Sequence, residues 1–96
     1  MDPPSYGRGP GGEVWKLEDS ISGLLAVTRE VLSDDPLFFL VSSYTTGLSA
    51  SAMGYALALT MMGKREGRIY SDELGLPVTE TGFAIPCGAA SRWVAR

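Results

Sequence analysis

The amino-acid sequence predicts an α/β fold: a small sheet with flanking helices in a βαβ-like unit, preceded by an N-terminal amphipathic helix. Three observations lead to this fold class. Residues 37–41 are a continuous apolar run, typical of a buried strand; the apolar residues of 48–62 recur at helical spacing; and residues 83–85 predict another strand. The length of 96 residues accommodates one domain.

The composition excludes several functional classes. The chain has no His, one Cys and a net charge of −3. A Ser-His-Asp triad, a Cys-His pair and a His-containing zinc site therefore cannot form, and we expect neither a metal nor a cofactor. The single cysteine excludes an internal disulfide, so we expect a cytoplasmic protein, and the negative net charge argues against a nucleic-acid partner.

The first twelve residues differ in composition from the rest of the chain. They hold three prolines and four glycines and lack the apolar segment of a secretory signal. Such a segment buries too little apolar surface to offset the entropy lost on ordering. The sequence therefore predicts a disordered tail over 1–12 and a single small domain over 13–96.

Residues 13–32 predict the amphipathic helix. The apolar residues that recur at spacings of three and four are Leu17, Ile21, Leu24, Leu25, Val31 and Leu32. Glu18 and Asp19 come early, where a negative charge suits the positive end of a helix. Pro36 predicts the end of the helix, since the residue before a proline avoids helical geometry. The helix either packs in the core or binds a partner.

The uncharged segment 37–63 has more than one interpretation. Its length permits a transmembrane span over 37–62, and the cations that follow it, Lys64, Arg65 and Arg68, would place the C-terminus in the cytoplasm. However, its centre is rich in Ser and Thr, where a bilayer tolerates polarity least. We therefore divide it into a strand over 37–43, a loop over 44–47 and a helix over 48–62 that ends at Gly63. A wholly helical hairpin is a third interpretation.

The divided segment places hydroxyl groups where a strand leads into a helix. Backbone N–H groups at a helix N-terminus attract anions, and nearby side chains add donors. The candidate anion- or ligand-binding residues are Ser43, Thr45, Thr46, Gly47 and Ser49. The alternative is that these hydroxyls only cap the helix. The sequence has no glycine-rich nucleotide-binding motif.

The C-terminal third predicts a candidate reactive cysteine. We expect a strand over 68–70, a turn over 71–75, an extended piece over 76–78, a strand over 83–85 and then a helix. Cys87 would lie where that helix begins, and the helix N-terminus together with Arg92 would favour its thiolate. We take Cys87 and Arg92 as candidate catalytic residues. The alternative is that Cys87 is a small buried hydrophobic residue.

This order of elements resembles the DsrE-like sulfur-relay family. The first βα unit of that family is similar to Leu37–Ser43 with Ala56–Leu59, its second strand and turn to Ile69–Gly75, and its cysteine-bearing strand and helix to Phe83–Arg92. The resemblance implies that Cys87 carries a persulfide and that the protein forms an oligomer.

Three functional hypotheses follow. The first is a small binding or sulfur-handling module that uses Cys87 and the hydroxyl loop, with a protein partner or a second copy of itself. The second is a single-pass membrane accessory subunit with residues 37–62 as its span. The third is a helical protein-interaction module without chemistry.

Overall fold

The computed structural model describes all 96 residues, which form two helices and two antiparallel sheets. In chain order the elements are β1 (Tyr6–Arg8), β2 (Val14–Lys16), α1 (Leu17–Glu30), β3 (Phe38–Ser43), α2 (Ala50–Met61), β4 (Gly67–Pro77) and β5 (Ala84–Ala95). The α/β class predicted from the sequence is therefore confirmed.

The segment predicted as a disordered tail is ordered in the structure. Strands β1 and β2 pair in antiparallel register, with Tyr6 opposite Lys16. The indole Nε1 of Trp15 donates to the carbonyl oxygen of Pro4 at 2.7 Å, and Pro3 is buried. Composition alone misses this arrangement, because a turn at Gly9–Gly12 and contacts with Trp15 offset the ordering cost of the Gly- and Pro-rich segment.

Helix α1 lies within the segment predicted to be helical. Leu17, Ile21 and Leu25 form its buried face, at the spacing the sequence indicated. Residues 14–16, which were expected to begin the helix, belong instead to β2. Val31 is 81% exposed at the C-cap, because the helix ends before that residue can turn to the core.

The division of the uncharged segment into strand, loop and helix is also confirmed. β3 ends at Ser43 and α2 begins at Ala50, with Ser49 as its N-cap. Neither helix combines the length and the apolar content that crossing a bilayer requires. One detail differs from the expectation of a strand buried on both faces: Phe39 and Val41 are buried, whereas Phe38 on the opposite face is 65% exposed.

The larger sheet has the order β3-β5-β4. β5 runs antiparallel to both neighbours, so β3 and β4 are parallel to each other and β5 separates them. Helix α2 connects the two parallel strands and packs on β4 and β5. The predicted βαβ-like unit is thus present in a split form, with an antiparallel strand inserted between its two parallel strands.

The predictions of a turn over 71–75 and of a helix after Cys87 are wrong. Residues 67–77 form one continuous strand, and β5 continues through Cys87 to Ala95. The Ala-Ala-Ser sequence within β5 favours a helix locally. However, β5 pairs with a strand along each of its edges, and this tertiary pairing overrides the weak helix propensity. Ser91 and Trp93 are buried while Arg92 between them is exposed, the alternation of a strand.

The hydrophobic core lies on one face of this sheet, beneath both helices. Its nine residues are Leu17, Ile21, Leu25, Phe39, Val41, Met53, Leu57, Met61 and Trp93. They come from both helices and from β3 and β5, so a single helical layer covers the buried face. The carboxyl end of β3 emerges at the margin of this layer, where α2 begins.

Candidate functional site

A cavity lies at the carboxyl end of β3, between the loop 44–49 and the first part of β5. Its volume is about 540 Å³, and it is open to solvent. Four of the five predicted ligand-binding residues and the candidate cysteine line it: Ser43, Thr45, Thr46, Ser49 and Cys87. We call this the edge cavity. In open α/β sheets, ligands bind outside the carboxyl ends of the strands, which is where the edge cavity lies.

Hydrogen bonds within the loop hold its hydroxyl groups in place. Ser43 is buried, and its Oγ accepts a hydrogen bond from the backbone N–H of Thr45 at 3.1 Å. Ser49 caps α2, since its Oγ accepts from the N–H of Ala52 at 3.2 Å. Both hydroxyls therefore bond to the backbone, but only Ser49 has the helix-capping role that the alternative predicted. Thr45 Oγ1 is buried without a hydrogen-bond partner.

A hydrogen bond joins the first residue of α2 to the sheet on which the helix packs. The hydroxyl of Ser91 on β5 donates to the carbonyl oxygen of Ala50 at 2.6 Å. Ser91 is fully buried, so this bond forms away from competing water. The wall of the edge cavity that α2 provides is therefore anchored to the strand that also carries Cys87.

Cys87 occupies a β-bulge, not a helix N-terminus. Leu74 pairs with Gly88 and Gly75 pairs with Pro86, so Cys87 is the additional residue on β5. Its thiol is exposed, as the reactive-cysteine prediction expected and unlike the buried alternative. Because β5 continues as a strand, the residues that follow Cys87 do not provide the helix N-terminus that the sequence predicted. The bulge instead turns Cys87 toward the edge cavity.

Close packing beside the bulge requires a small residue. A Cβ atom at Gly88 would lie 2.8 Å from the carbonyl oxygen of Ser43 and 2.8 Å from the ring of Tyr44. The backbone of β5 thus approaches the end of β3 more closely than any side chain at this position would permit. This approach brings the cysteine strand and the hydroxyl loop to the same cavity.

Two predicted site residues lie elsewhere. Gly47 is outside the lining of the edge cavity. Arg92 is on the opposite face of the sheet, where its guanidinium carbon lies 5.0 Å from the ring centroid of Tyr70. The predicted pairing of Arg92 with Cys87 is therefore wrong. That prediction assumed a helix, in which residues five apart lie on neighbouring turns. Both residues lie instead in the extended strand β5, which holds them farther apart.

The structure adds residues to the site that the sequence did not indicate. Glu73 and Tyr44 line the edge cavity. The sequence predicts Glu73 within a turn, whereas the pairing of β4 with β5 along its whole length places this residue at the cavity. The structure has no group of three or more metal-ligating side chains.

The first residue extends the sheet beyond β3. The amino group of Met1 donates to the carbonyl oxygen of Leu40 at 2.7 Å, and the N–H of Ser42 donates to the carbonyl oxygen of Met1 at 3.0 Å. This is the bonding pattern of a parallel pair between Met1 and Val41. Asp2, the next residue, is exposed and does not line the edge cavity.

Comparison with known proteins finds similarity to a solved structure. No protein-family model matches the chain, and no curated protein matches it significantly. Among solved structures, it is similar to a SAM-dependent methyltransferase from Agrobacterium tumefaciens, with 32% sequence identity and a TM-score of 0.80. The match covers 99% of this chain and 32% of that one, so the chain spans about a third of the length of that methyltransferase and shares the fold of that third.

Proposed function

We propose that this chain forms part of a SAM-dependent methyltransferase, contributing the edge cavity to its binding region. The observation that carries the proposal is the structural match, which extends over 99% of the chain at 32% identity. The activity named for the Agrobacterium tumefaciens protein belongs to a chain about three times as long, so the proposed role is that of one portion of such an enzyme.

The chemistry of the edge cavity supports this proposal. S-adenosylmethionine carries a sulfonium cation, an ammonium group and ribose hydroxyls. The carboxylate of Glu73 suits the cationic groups, and the hydroxyls of Thr46 and Ser49 can exchange hydrogen bonds with polar groups of a ligand. The volume of about 540 Å³ is within the range of ligand pockets.

A graft tests the proposal. The third of the Agrobacterium tumefaciens methyltransferase that matches this chain is replaced by residues 1–96, and binding of S-adenosylmethionine is measured by isothermal titration calorimetry. We expect the graft to bind with a dissociation constant within about tenfold of that of the parent enzyme, or about 1.4 kcal/mol. The parent enzyme without that third is the control and should not bind. A graft that melts cooperatively yet fails to bind S-adenosylmethionine would refute the proposal.

A second candidate function is sulfur handling at Cys87, in the manner of the DsrE-like family. The specific observation in its favour is that the thiol is exposed and lines a cavity. The thiolate would take one sulfur atom from a polysulfide, forming a persulfide and releasing the shortened polysulfide. A protein partner or a second copy would then receive the sulfur.

Mass spectrometry after incubation with polysulfide tests this second candidate. A gain of one sulfur atom that survives removal of excess polysulfide supports it, and an unchanged mass refutes it. The graft carrying Cys87→Ser separates the two functions, because S-adenosylmethionine binding should not depend on the thiol, whereas sulfur loading must.

A further inference from the structure

The strand at one end of the larger sheet, β4, has a side that pairs with no other strand. Its only partner strand is β5. The N–H of Arg96 donates to the carbonyl oxygen of Glu66 at 3.0 Å, so in this antiparallel register the even-numbered residues from Glu66 to Leu74 direct their backbone groups toward β5. The odd-numbered residues direct theirs away from the sheet. We call the backbone N–H and C=O groups of these residues the free edge: Gly67, Ile69, Ser71 and Glu73.

The free edge is without a hydrogen-bonding partner. The backbone hydrogen bonds that lie outside the helices and strands include none from β4. Helix α2 packs on β4, but it lies on the face of the sheet that holds the core. A strand of 11 residues with unpaired N–H and C=O groups along one side is a template for a further strand. The free edge can therefore be extended by β-strand addition.

The charges of β4 are complementary to a second copy of the same strand. Arg68 and Asp72 are both exposed and, being four residues apart in a strand, lie on the same face of the sheet. In an antiparallel pair of two β4 strands centred on Tyr70, Arg68 of each copy lies directly opposite Asp72 of the other. Because the backbone groups of both residues point toward β5, the two form a non-hydrogen-bonded pair across the new junction, in which side chains approach most closely.

Charge also selects this register over its neighbours. A pair centred on Arg68 would place two guanidinium groups opposite each other, and one centred on Asp72 would place two carboxylates opposite each other. Like charges in directly opposite positions destabilise a strand pair. A pair centred on Ile69 or Ser71 loses the contact between opposite charges. Among these registers, the one centred on Tyr70 alone pairs the arginine with the aspartate.

We propose that two copies of this chain associate through the free edge, with their β4 strands antiparallel about a two-fold axis at Tyr70. The axis is perpendicular to the sheet, so the two three-stranded sheets join into one continuous sheet with the helices of both copies on the same face. Backbone hydrogen bonds join Ile69 to Ser71 of the other copy and Gly67 to Glu73 of the other copy. The two Tyr70 rings form an aromatic cross-strand pair at the axis.

Exposed side chains of α2 extend this contact beyond the strands. A Cβ atom at Gly54 would overlap Ser71 Oγ and lie 3.2 Å from a methyl of Ile69, so this part of α2 lies beside the axis. Tyr55, the next residue, is 70% exposed, and Met62 at the end of the helix is 67% exposed and lines a cavity with Ile69. The pairing of two edge strands buries little apolar surface. These side chains supply more, because α2 of the other copy lies across the junction.

Sedimentation equilibrium of the 96-residue chain tests the proposal. We expect a reversible dimer that is populated at about 100 μM protein. Arg68→Asp and Asp72→Arg should each raise the dissociation constant at least about tenfold, since each places like charges opposite one another at two symmetric positions. The double variant should restore the dissociation constant to within about threefold. Arg8→Asp, in the separate sheet of β1 and β2, is the matched control and should change it by less than about twofold.

Disulfide cross-linking tests the register independently of charge. The Cα atoms of the two Tyr70 residues would lie about 4.5 Å apart, within the range that a disulfide spans. In a Cys87→Ser background, Tyr70→Cys should therefore form a covalent dimer on mild oxidation. Leu74→Cys is the matched control, since the shift of register separates the two copies of that position by more than about 20 Å.

Each outcome bears on the proposal. Circular dichroism establishes that the variants fold, and cross-linking provides a reading that does not depend on the charge variants. A monomer at this concentration would overturn the inference, and so would a dimer that neither charge reversal weakens. A double variant that remains as weak as the single variants, or a Leu74→Cys variant that cross-links as readily as Tyr70→Cys, would also overturn it.

Discussion

The Oγ atoms of Ser71 and Ser91 lie 2.8 Å apart beneath helix α2. Because the hydroxyl of Ser91 donates its proton to the carbonyl oxygen of Ala50, the hydroxyl of Ser71 must donate to Ser91. Two adjacent strands thus form a chain of hydrogen bonds that ends at the first residue of α2. This chain fixes the helix that forms one wall of the edge cavity.

Ser91→Ala should therefore destabilise the protein. The change leaves the carbonyl oxygen of Ala50 and the hydroxyl of Ser71 without their partner, and we expect a loss of about 1–3 kcal/mol in the free energy of unfolding. Urea denaturation measures it. Ser22→Ala on the exposed side of α1 is the control, expected within about 0.5 kcal/mol. Equal effects of the two changes would contradict the role of this hydrogen-bond chain.

Two glycines in helices should respond in opposite ways to replacement by alanine. A Cβ atom at Gly54 would overlap Ser71 Oγ and lie 3.2 Å from a methyl of Ile69, whereas one at Gly23 would have open space. Gly23→Ala should stabilise the protein by about 0.5–1 kcal/mol through helix propensity. Gly54→Ala should lower the melting temperature despite the same propensity gain, because α2 must move off the sheet. A rise in melting temperature for both variants would contradict this prediction, because it would show that the interface between α2 and β4 has room for the added methyl group.

Cys87 should react with iodoacetamide in the native protein. Its thiol is exposed at the bulge, so folding gives it little protection. We expect the alkylation rate to change by less than about tenfold on addition of denaturant, and Cys87→Ser to alter stability by less than about 0.5 kcal/mol. A thiol that reacts only after unfolding would place the sulfur in the interior.

Removal of residues 1–12 distinguishes the sequence interpretation from the structure. A disordered tail would be lost without effect. The structure instead shows that deletion removes the pairing of β1, the buried Pro3 and the two bonds of Met1 to β3. We expect the free energy of unfolding to fall by more than about 1 kcal/mol. An unchanged denaturation midpoint would support the disordered tail.

The parts of the fold that the sequence predicted are those set by local patterns. The helical spacing of Leu17, Ile21 and Leu25 and the change from an apolar run to Ser and Thr after Val41 are visible within short windows. β5 was misassigned because its strand character depends on pairing with residues distant in the chain, while its own Ala-Ala-Ser segment favours a helix.

For the site, too, the sequence predicted the features set by local patterns and missed those set by strand pairing. The hydroxyl loop and Cys87 do meet at one cavity, although the sequence argument for Cys87 relied on a helix that does not form. A bulge arises from the register of two strands, so the glycines beside it, Gly75 and Gly88, indicate it only once both segments are known to be strands. Glu73 was missed for a similar reason, because its position follows from the length of β4 and not from its neighbours in sequence.

The placement of β5 between β3 and β4 also constrains how the protein folds. β3 and β4 share no backbone hydrogen bonds, so neither can join the other before β5 is present. The hairpin of β4 and β5 closes a short loop and can form early, whereas β3 must wait for a strand far along the chain. Until then the apolar residues of β3 lack their partner strand, and we expect the closing of β3 onto β5 to be the slower step in completing the sheet.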